Sequence, residues 1–304
     1  MNIKSSNEPL VSVIINCFNG AKYLNNAIES VINQSYKNWE IIFWDNCSTD
    51  KSAEIFNNYN DKRLNYYCAE SHSNILYKAK NYALKKAKGE FIAFLDVDDW
   101  WTVDKLEKQI PLFKNSETGL VYGNRWIYFE KKKKKKIFRK KKLPTGMILK
   151  DLLNDYVIGS ATYVIRKKIL ENSYYNFNDN FHIIGDFDLS IRISSRWRID
   201  CIQSPIAFVR IHDKNESLLK RSLEITEMKV WYKAMKKNTF FSNIDELDQI
   251  KFFFLYLETM EFILNHNLKK SFFKVIEYPF CLKKIKLLIA LLLPKFIIKK
   301  IKNY

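Results

Sequence analysis

The stretch GEFIAFLDVDDWW at residues 89–101 decides the fold. Five consecutive apolar residues, Phe91–Leu95, follow Gly89 and Glu90, and three carboxylates, Asp96, Asp98 and Asp99, then occur within four positions. A short apolar run bounded in this way predicts a strand that is buried on both faces. The acids then lie just past the C-terminal end of the strand, and in an open α/β sheet ligands bind at that edge.

Clustered carboxylates repel one another unless a cation neutralises them. Hard oxygen ligands at this spacing suit Mg²⁺ or Mn²⁺, and such an ion can in turn hold a diphosphate. The alternative is a solvated acidic turn before a helix, because acids are also favoured near a helix N-terminus. The stretch by itself leaves both interpretations open.

The composition limits the possible classes of protein. The chain has 304 residues and is 47% hydrophobic, enough for one large domain with an extension or for two small domains. Its five cysteines are scattered and form no CxxC pair, which favours reduced thiols in the cytoplasm over a disulfide framework or a zinc site. Residues 1–9 are polar, so we expect no signal peptide.

The formal net charge of +18 implies an anionic partner: nucleic acid, an acidic membrane surface or a phosphorylated substrate. Lys131–Lys142 holds ten basic residues in twelve, which predicts an exposed loop or hairpin tip. The run either has no role or contacts anionic lipid headgroups or a pyrophosphate-linked acceptor, each nearby lysine contributing about 1 kcal/mol at an acidic membrane. No nucleic-acid-binding signature accompanies it, so we expect no nucleic-acid partner.

The first hundred residues alternate between strand and helix patterns. This alternation predicts a parallel sheet. The predicted strands are Val11–Ile15, Glu40–Trp44, Leu64–Cys68 and Phe91–Leu95, and the predicted helices are Leu24–Ile32, a helix from near Lys51, and Ile75–Lys88. A further helix is expected at Thr102–Asn115, where Pro111 is awkward and would kink or end it.

Three strand ends carry polar clusters: Asn16–Asn19, Asp45 with Asn46, and Asp96–Asp99. A parallel sheet places these ends on one edge. The simpler explanation is that polar residues commonly follow strands, but the acidic groups in two of the clusters favour a ligand site.

Several spaced motifs resemble those of the family 2 glycosyltransferases, over about residues 9–215. They are Val11–Asn19, Ile41–Asp50, Ala79–Asn81 and Phe94–Trp101. The resemblance implies the α/β GT-A fold, with a mainly parallel central sheet flanked by helices. Residues 1–215 would form the catalytic domain, with a nucleotide-sugar half at about 9–115 and an acceptor half at about 116–215.

The chain departs from the family's pattern at three places. Asn16 and Cys17 replace the usual Pro-Thr, Asn46 and Cys47 stand where Asp-Gly is common, and Lys80 stands where Arg is usual. These departures concern residues that the resemblance places near the base and the phosphates of the bound nucleotide.

The resemblance also implies roles for the residues at the nucleotide. Asn19 would lie in the first nucleotide-binding loop. Asp45, followed by Asn46, would accept a hydrogen bond from the base, most often uracil in this family. Asp96-Val97-Asp98 resembles the DXD motif, in which Asp96 would face the ribose.

Three residues are expected at a metal ion. By the same resemblance, Asp98 would bind Mn²⁺ or Mg²⁺ and Asp99 would support it. Phe208–His212 resembles the family's closing strand with its Arg-x-His sequence. His212 is a candidate for metal or diphosphate contact, because imidazole can ligate Mn²⁺ or donate to phosphate; a structural role for this histidine stays open.

The segment Gly185–Arg192 resembles the family's acidic-Asp-aromatic-Asp-Leu-x-x-Arg pattern, except that Gly185 replaces the common Glu. The resemblance implies that Asp186 is the general base. Asp188 and Arg192 are spaced i, i+4 at a predicted helix start, and we interpret them as a structural ion pair.

Residues 216–304 are expected to form a helical C-terminal extension. Leu223–Met235 and Ile250–Leu264 have amphipathic helix patterns. The apolar run Leu287–Pro294 is shorter than the roughly 20 residues that span a bilayer. Its flanking lysines favour a helix in the membrane interface, whereas the alternative is a helix that covers the back of the catalytic domain.

The motifs together predict an inverting, metal-dependent glycosyltransferase. It would move a sugar from a nucleotide-sugar, most simply UDP-linked, to a hydroxyl of a glycan or lipid-linked acceptor in cell-surface polysaccharide or lipopolysaccharide synthesis. We expect it in the cytoplasm, peripheral on the inner face of the cytoplasmic membrane.

Two alternatives come from other classes of protein. A sugar-phosphate nucleotidyltransferase would need a glycine-rich basic loop after the first strand, and residues 16–21 hold one glycine. A non-enzymatic basic protein that binds membrane or nucleic acid would have no need of Asp45, the DXD cluster and Asp186 together.

Overall fold

The computed structural model describes residues 8–265 and 267–294. The chain divides into two compact units, residues 1–215 and 216–304. The strands of the first unit are β1 (Val11–Cys17), β2 (Trp39–Asp45), β3 (Leu64–Cys68), β4 (Phe91–Phe94), β5 (Trp100–Trp101), β6 (Thr118–Phe129), β7 (Lys134–Ile137), β8 (Val164–Arg166) and β9 (Arg198–Ile211).

Helices in the first unit surround this sheet, and the second unit is helical. The first unit contains α1 (Leu24–Ile32), α2 (Ser52–Asn57), α3 (Leu76–Leu84), α4 (Lys105–Gln109), α5 (Leu149–Asn154), α6 (Lys167–Leu170) and α7 (Gly185–Ser194). The second contains α8 (Glu216–Leu219), α9 (Arg221–Lys237), α10 (Asp248–Leu264), α11 (Leu268–Glu277) and α12 (Leu282–Leu292).

The strands form one mixed sheet in the order β3-β2-β1-β4-β8-β6-β9-β5, with β7 paired to β6. Strands β1 to β4 run parallel, as their alternation with helices predicted. Beyond β4 the sheet is mixed, because β8 is antiparallel to both β4 and β6 while β6 and β9 are parallel. The parallel part therefore places the ends of β1, β2 and β4 on one edge.

The pattern of apolar residues explains how the parallel part of the sheet packs. Strands β1, β2 and β4 are buried along their whole length, as expected for strands covered on both faces. Helix α1 spans the predicted residues and buries Leu24, Ala27, Ile28 and Val31 of the apolar face that its period indicated, whereas the fifth member, Ile32, is only partly buried.

A buried polar network fixes the opposite ends of the same strands. Ser12 Oγ donates to Glu40 Oε1 at 2.6 Å, which joins β1 to β2. The amide of Lys88 donates to the same carboxylate oxygen at 2.8 Å, and the amide of Gly89 donates to Ser12 Oγ at 2.8 Å. The entry into β4 is therefore tied to the starts of β1 and β2.

The helix expected at Thr102–Asn115 is shorter and divided. Helix α4 ends at Gln109, and Ile110–Lys114 continues as a 3₁₀ turn. Pro111 has no N–H to donate and its ring opposes the carbonyl four residues before it, so the α-helix cannot continue through this position.

The basic run forms the hairpin tip that its composition predicted. Residues 134–137 pair antiparallel with residues 126–129, and the side chains of residues 131–136 are exposed. One of these lysines, Lys131, forms an ion pair with Asp213 at 2.7 Å, and both side chains are largely exposed. Exposed pairs of this kind contribute little to stability.

The helical unit has a small core of its own. Leu255 and Ile263 of α10 pack with Val275 of α11 and with Leu287 and Ala290 of α12. None of the helices in the described part of the chain has the length and apolar character needed to cross a bilayer.

Helix α7 contains a buried ion pair, as the i, i+4 spacing predicted. Arg192 donates to Asp188 Oδ2 through Nε at 3.1 Å and through Nη2 at 2.6 Å. Arg192 Nη2 also donates to the carbonyl of Asn176 at 2.8 Å. Because both side chains are nearly inaccessible, removing one of them leaves the other charge in a poorly solvated position.

We predict that Arg192→Met lowers the free energy of unfolding by about 3–5 kcal/mol, because Asp188 loses its buried cationic partner. Urea denaturation followed by circular dichroism measures the change. The matched control is Lys108→Met, which removes an exposed i, i+4 pair with Asp104 and should cost less than about 1 kcal/mol. Equal effects of the two substitutions would contradict a stabilising role for the buried pair.

Candidate active site

The polar clusters identified in the sequence lie at one edge of the sheet. Strands β1 and β2 are parallel and in register to their ends, with Cys17 opposite Asp45. Strand β4 is parallel to β1, and the loop with the three carboxylates follows it. The connectivity therefore brings together groups that are about 80 residues apart along the chain.

Asn19 connects the loops that follow β1 and β2. Its side-chain oxygen accepts hydrogen bonds from the amides of Thr49 at 2.8 Å and Asp50 at 3.3 Å, and its own amide donates to Ser48 Oγ at 3.0 Å. Its φ of 53° lies in the left-handed region, which asparagine tolerates better than most residues. Asn19 therefore fixes the shape of the predicted nucleotide-binding loop.

Asp45 and Asn46 are both buried and already hydrogen-bonded within the protein. Asp45 accepts from the amide of Ser48 at 2.7 Å and from the hydroxyl of Tyr66 at 2.8 Å. Asn46 exchanges two hydrogen bonds with the backbone of Ser73, at 2.8 and 2.9 Å. A carboxylate oxygen can accept more than one hydrogen bond, so the role of Asp45 at the base stays a prediction.

An exposed aromatic pair lies beside these loops, and the sequence motifs did not indicate it. The ring of Phe18 is 51% exposed, and its centroid lies 4.2 Å from that of His72. His72 Nδ1 is 2.9 Å from the carbonyl oxygen of Asn46, so the histidine is anchored to the end of β2. An exposed ring of this kind can stack on a planar base.

Asp96 is held by groups from two other parts of the chain. Lys80 Nζ on α3 lies 3.0 Å from Asp96 Oδ1, and Ser160 Oγ donates to Oδ2 at 3.0 Å. The side chain of Lys80 is only 2% exposed. Neither partner was among the predicted site residues. Lys80 stands in the motif Ala79–Asn81 as a departure from the family pattern, and Ser160 lies in Gly159–Arg166, a segment that resembles the family's acceptor-side strand, where small residues let a sugar approach.

Asp98 and Asp99 contact the end of β9 and the turn that follows it. Asp98 Oδ2 lies 2.9 Å from His212 Nε2 and accepts from Asn215 Nδ2 at 3.2 Å. Asp99 Oδ1 accepts from the backbone amide of Arg210 at 2.9 Å and is buried. The structure thus brings Asp98 and His212 together, and it adds Asn215, which the sequence did not indicate.

Burial and neighbouring charges raise the pKa values of two of the three carboxylates. Burial raises the pKa of Asp98 above its usual range, and the charge of Asp96 raises it further. The pKa of Asp99 is raised well above its usual range by burial and then by the charges of Asp98 and Asp96. A cation at this position would relieve the repulsion and favour the ionised carboxylates.

The residues fit a divalent cation that shares its ligands with a substrate. Asp98 and His212 together offer a carboxylate oxygen and an imidazole nitrogen, which suit Mn²⁺, and Mg²⁺ commonly binds one or two carboxylates plus substrate phosphates. Residues 8–265 and 267–294 contain no group of three or more His, Cys, Asp and Glu side chains arranged to hold a metal ion. Asp99 contacts the backbone of β9, so its supporting role at a metal stays a prediction.

Asp186 lies in the first turn of α7, where the sequence pattern predicted a helix start. Its Oδ1 accepts from the hydroxyl of Tyr77 at 2.9 Å and from the amide of Phe187 at 2.8 Å. Burial raises the pKa of Asp186, and the charge of Lys80 and the Tyr77 hydrogen bond lower it in part. A carboxylate with a raised pKa is better matched to a proton transfer near neutral pH.

Lys80 links the two acidic groups of the site. It contacts Asp96 directly and it also lowers the pKa of Asp186 electrostatically.

Two other histidines have structural contacts: His72 bonds to the backbone of Asn46, and His182 Nδ1 accepts from the amide of Leu76 at 3.2 Å.

A model of the family described as Glycosyl transferase family 2 matches residues 12–173, more than half of the chain. The chain belongs to glycosyl transferase family 2. The match begins within β1 and contains β2 to β4, the DXD cluster and the segment with Ser160. The resemblance that the sequence motifs indicated is therefore confirmed.

Two relatives of this family 2 member carry functional names. It is 39% identical over 122 residues to WfaP of Escherichia coli, named a UDP-Glc:alpha-D-GlcNAc-diphosphoundecaprenol beta-1,3-glucosyltransferase, with 39% of this chain and 47% of that protein covered. It is 33% identical over 168 residues to WfgD of Escherichia coli, which has the same activity in its name, with 55% and 64% covered. The matches thus span less than two thirds of either relative.

Two solved structures share the architecture. S. aureus TarS 1-349 in complex with UDP-GlcNAc superimposes with a TM-score of 0.61 at 19% identity, over 81% of this chain and 72% of that one. The mannosyltransferase PcManGT from Pyrobaculum calidifontis, in complex with GDP-Man and Mn²⁺, superimposes with a TM-score of 0.60 at 14% identity, over 94% and 80%. The predicted GT-A fold is confirmed.

Proposed function

We propose that this protein transfers a sugar from a nucleotide-sugar to a hydroxyl of a glycan or lipid-linked saccharide, with inversion at the anomeric carbon. One observation carries the proposal: Asp98 pairs with His212 at 2.9 Å, and Asp186, whose carboxylate accepts from the Tyr77 hydroxyl at 2.9 Å, lies close enough to Asp96 for that charge to raise its pKa. A site for a charged leaving group and a base for the acceptor are the two components that such a transfer needs.

The donor is expected to be a UDP-sugar. The names of WfaP and WfgD give a UDP-linked donor and a diphosphoundecaprenol-linked acceptor for those proteins. In this chain the base would lie near Asp45 and Asn46, in a loop shaped by Asn19, and Phe18 offers an exposed ring for stacking. The ribose would face Asp96. The transferred sugar would become part of a cell-surface polysaccharide.

Asp98 and His212 would hold the Mn²⁺ or Mg²⁺ ion, with Asp99 behind them. When bound, such an ion neutralises the charge that develops on the diphosphate as it leaves. The contact from Asn215 and the burial of the pair fix the direction in which the carboxylate of Asp98 points. Lys80 keeps Asp96 in place beside this pair.

Asp186 would act as the general base. Its carboxylate accepts the proton of the acceptor hydroxyl as that oxygen bonds to the anomeric carbon, on the face opposite the departing diphosphate. The bond between the anomeric carbon and the diphosphate oxygen breaks in the same displacement, and its electron pair leaves with the nucleoside diphosphate. Attack from the opposite face inverts the configuration.

We predict that Asp98→Asn abolishes the Mn²⁺-dependent thermal stabilisation by UDP-sugars, because a neutral amide is a much weaker ligand for the ion. In the wild type, a donor at about a hundred times its dissociation constant adds roughly 2.7 kcal/mol to the folded state, which thermal-shift scans detect. Asp104→Asn, at an exposed acid, is the control and should respond as the wild type does. A well-folded wild type that responds to no nucleotide would contradict the proposal.

We predict that Asp186→Asn reduces transfer by about 10²–10⁴-fold while donor binding is retained, because the amide cannot accept the proton. Release of the nucleoside diphosphate in the presence of acceptor measures the transfer, and the thermal shift with donor measures the binding. Transfer at the wild-type rate would show that the base assignment is wrong.

We further propose that the helical unit binds the anionic inner surface of the cytoplasmic membrane. The outward faces of α11 and α12 are apolar, and Phe272, Phe273, Ile276, Ile289 and Leu292 are each more than half exposed. Lysines flank them on both helices. This arrangement of apolar and basic side chains is typical of helices that lie in a membrane interface.

We predict that Phe273→Ser with Ile276→Ser lowers recovery of the protein with liposomes that contain anionic lipid. Both side chains are exposed, so the substitutions remove membrane contacts without opening the core around Leu287. Flotation of the full chain measures recovery. Val103→Ser with Met147→Ser, at exposed apolar positions of the first unit, is the control. Equal recovery of all three proteins would contradict membrane binding through α11.

A further inference from the structure

Tyr77 donates a hydrogen bond to the carboxylate of Asp186. The residue lies in α3, its side chain is only 3% exposed, and its hydroxyl is 2.9 Å from Asp186 Oδ1. The carbonyl oxygen of Ile183 is farther away, at 3.4 Å, so the hydroxyl proton goes preferentially to the carboxylate. The amide of Phe187 donates to the same oxygen at 2.8 Å. Two donors therefore fix the orientation of Oδ1.

The ring of Tyr77 is held in place by its neighbours. Its centroid lies 5.0 Å from that of Phe177, and Lys80 Nζ lies 5.4 Å from it. The hydroxyl therefore reaches Asp186 from a fixed direction.

Gly185 makes this arrangement possible. A Cβ atom at residue 185 would lie 2.3 Å from Cδ2 and 2.4 Å from Cγ of Tyr77, distances that real side chains do not allow. The φ of Gly185 is not in the left-handed region, so the backbone conformation does not require glycine there. The close approach of the tyrosine ring explains why glycine is present.

Glycine at this position is also the departure from the family pattern noted above, in which Glu is common. In this chain Tyr77 occupies the space into which any side chain at residue 185 would extend. Helix α3 therefore supplies the hydrogen-bond donor to Asp186, and the residue before Asp186 is a glycine, which has no side chain.

We propose that Tyr77 is the positioning residue of Asp186, and that Gly185 is present to admit it. The proposal rests on the function proposed above. The hydroxyl fixes Oδ1, so that the carboxylate meets the acceptor hydroxyl in one orientation, and it stabilises the ionised form that accepts the proton.

Other titratable groups also act on Asp186. Burial raises its pKa and Asp96 adds to this, whereas Lys80 and Tyr77 lower it. Further groups that interact with it electrostatically are Arg125, Tyr156 and Tyr163. Tyr77→Phe removes the hydroxyl that donates to Oδ1 and leaves the other named groups in place.

The first test is the Tyr77→Phe variant, which keeps the ring and removes the hydroxyl. Because a hydrogen bond to the charged form is lost, the pKa of Asp186 should rise by about one unit. Carboxyl ¹³C NMR of the full chain measures it, with Asp186→Asn to assign the signal. Tyr82→Phe, at an exposed tyrosine of the same helix, should leave the signal unchanged. An unchanged pKa in Tyr77→Phe would overturn the proposal.

The second test measures transfer, with UDP-glucose as the donor and a synthetic GlcNAc-diphospholipid as the acceptor. In Tyr77→Phe, kcat should fall about tenfold with the KM for the donor unchanged, and the acidic limb of the pH profile should move to higher pH. If the wild type transfers no sugar, the proposed function fails, and if Asp186→Asn retains wild-type transfer, the base assignment fails. If Asp186→Asn is inactive while Tyr77→Phe keeps the wild-type kcat and pH profile, only the positioning role fails.

The third test concerns Gly185 and needs no substrate. Gly185→Ala alone should lower the denaturation midpoint, because its methyl group meets the Tyr77 ring. Combined with Tyr77→Ala, the same substitution should cost nothing further, because the ring is gone. A wild-type midpoint for Gly185→Ala, or an equal cost in both backgrounds, would show that the glycine does not serve to admit Tyr77.

Discussion

Repulsion among three adjacent carboxylates is the constraint on which the site depends. Asp96, Asp98 and Asp99 follow one short strand, and burial together with their mutual charge raises the pKa values of the last two. Each carboxylate is held by a different part of the chain: Lys80 of α3, His212 after β9, and a backbone amide within β9. The loop that carries the acids therefore joins the parallel and mixed parts of the sheet.

The carboxylates of the site have two different proposed roles, metal binding and proton transfer. Asp98 lies with His212 where a cation would be shared with a diphosphate, whereas Asp186 lies at the start of α7 with a tyrosine hydroxyl as its donor. Lys80 interacts with both groups, through Asp96 on one side and through its charge on the other. A change at this one buried lysine should therefore affect donor binding and base strength together.

Much of the fold follows from short-range patterns. The alternation of apolar runs and amphipathic segments predicted the parallel strands and α1 with its bounds, and the spacing of Asp188 and Arg192 predicted their ion pair. The helix expected at Thr102–Asn115 was wrong in its length, because a proline near the end outweighs an apolar period. The residue types at the strand ends also predicted which segments would form the site.

The sequence by itself determined the family, the sheet edge that carries the site and the acidic residues along it, because these depend on local patterns and on spaced motifs. The tertiary structure decided which groups meet those acids. No local pattern shows which acid Lys80, Ser160 or Asn215 contacts, and they reach Asp96 and Asp98 only because α3, the turn before β8 and the turn after β9 converge. The fit between a tyrosine ring and a glycine more than 100 residues away is likewise a matter of packing, which no local pattern encodes.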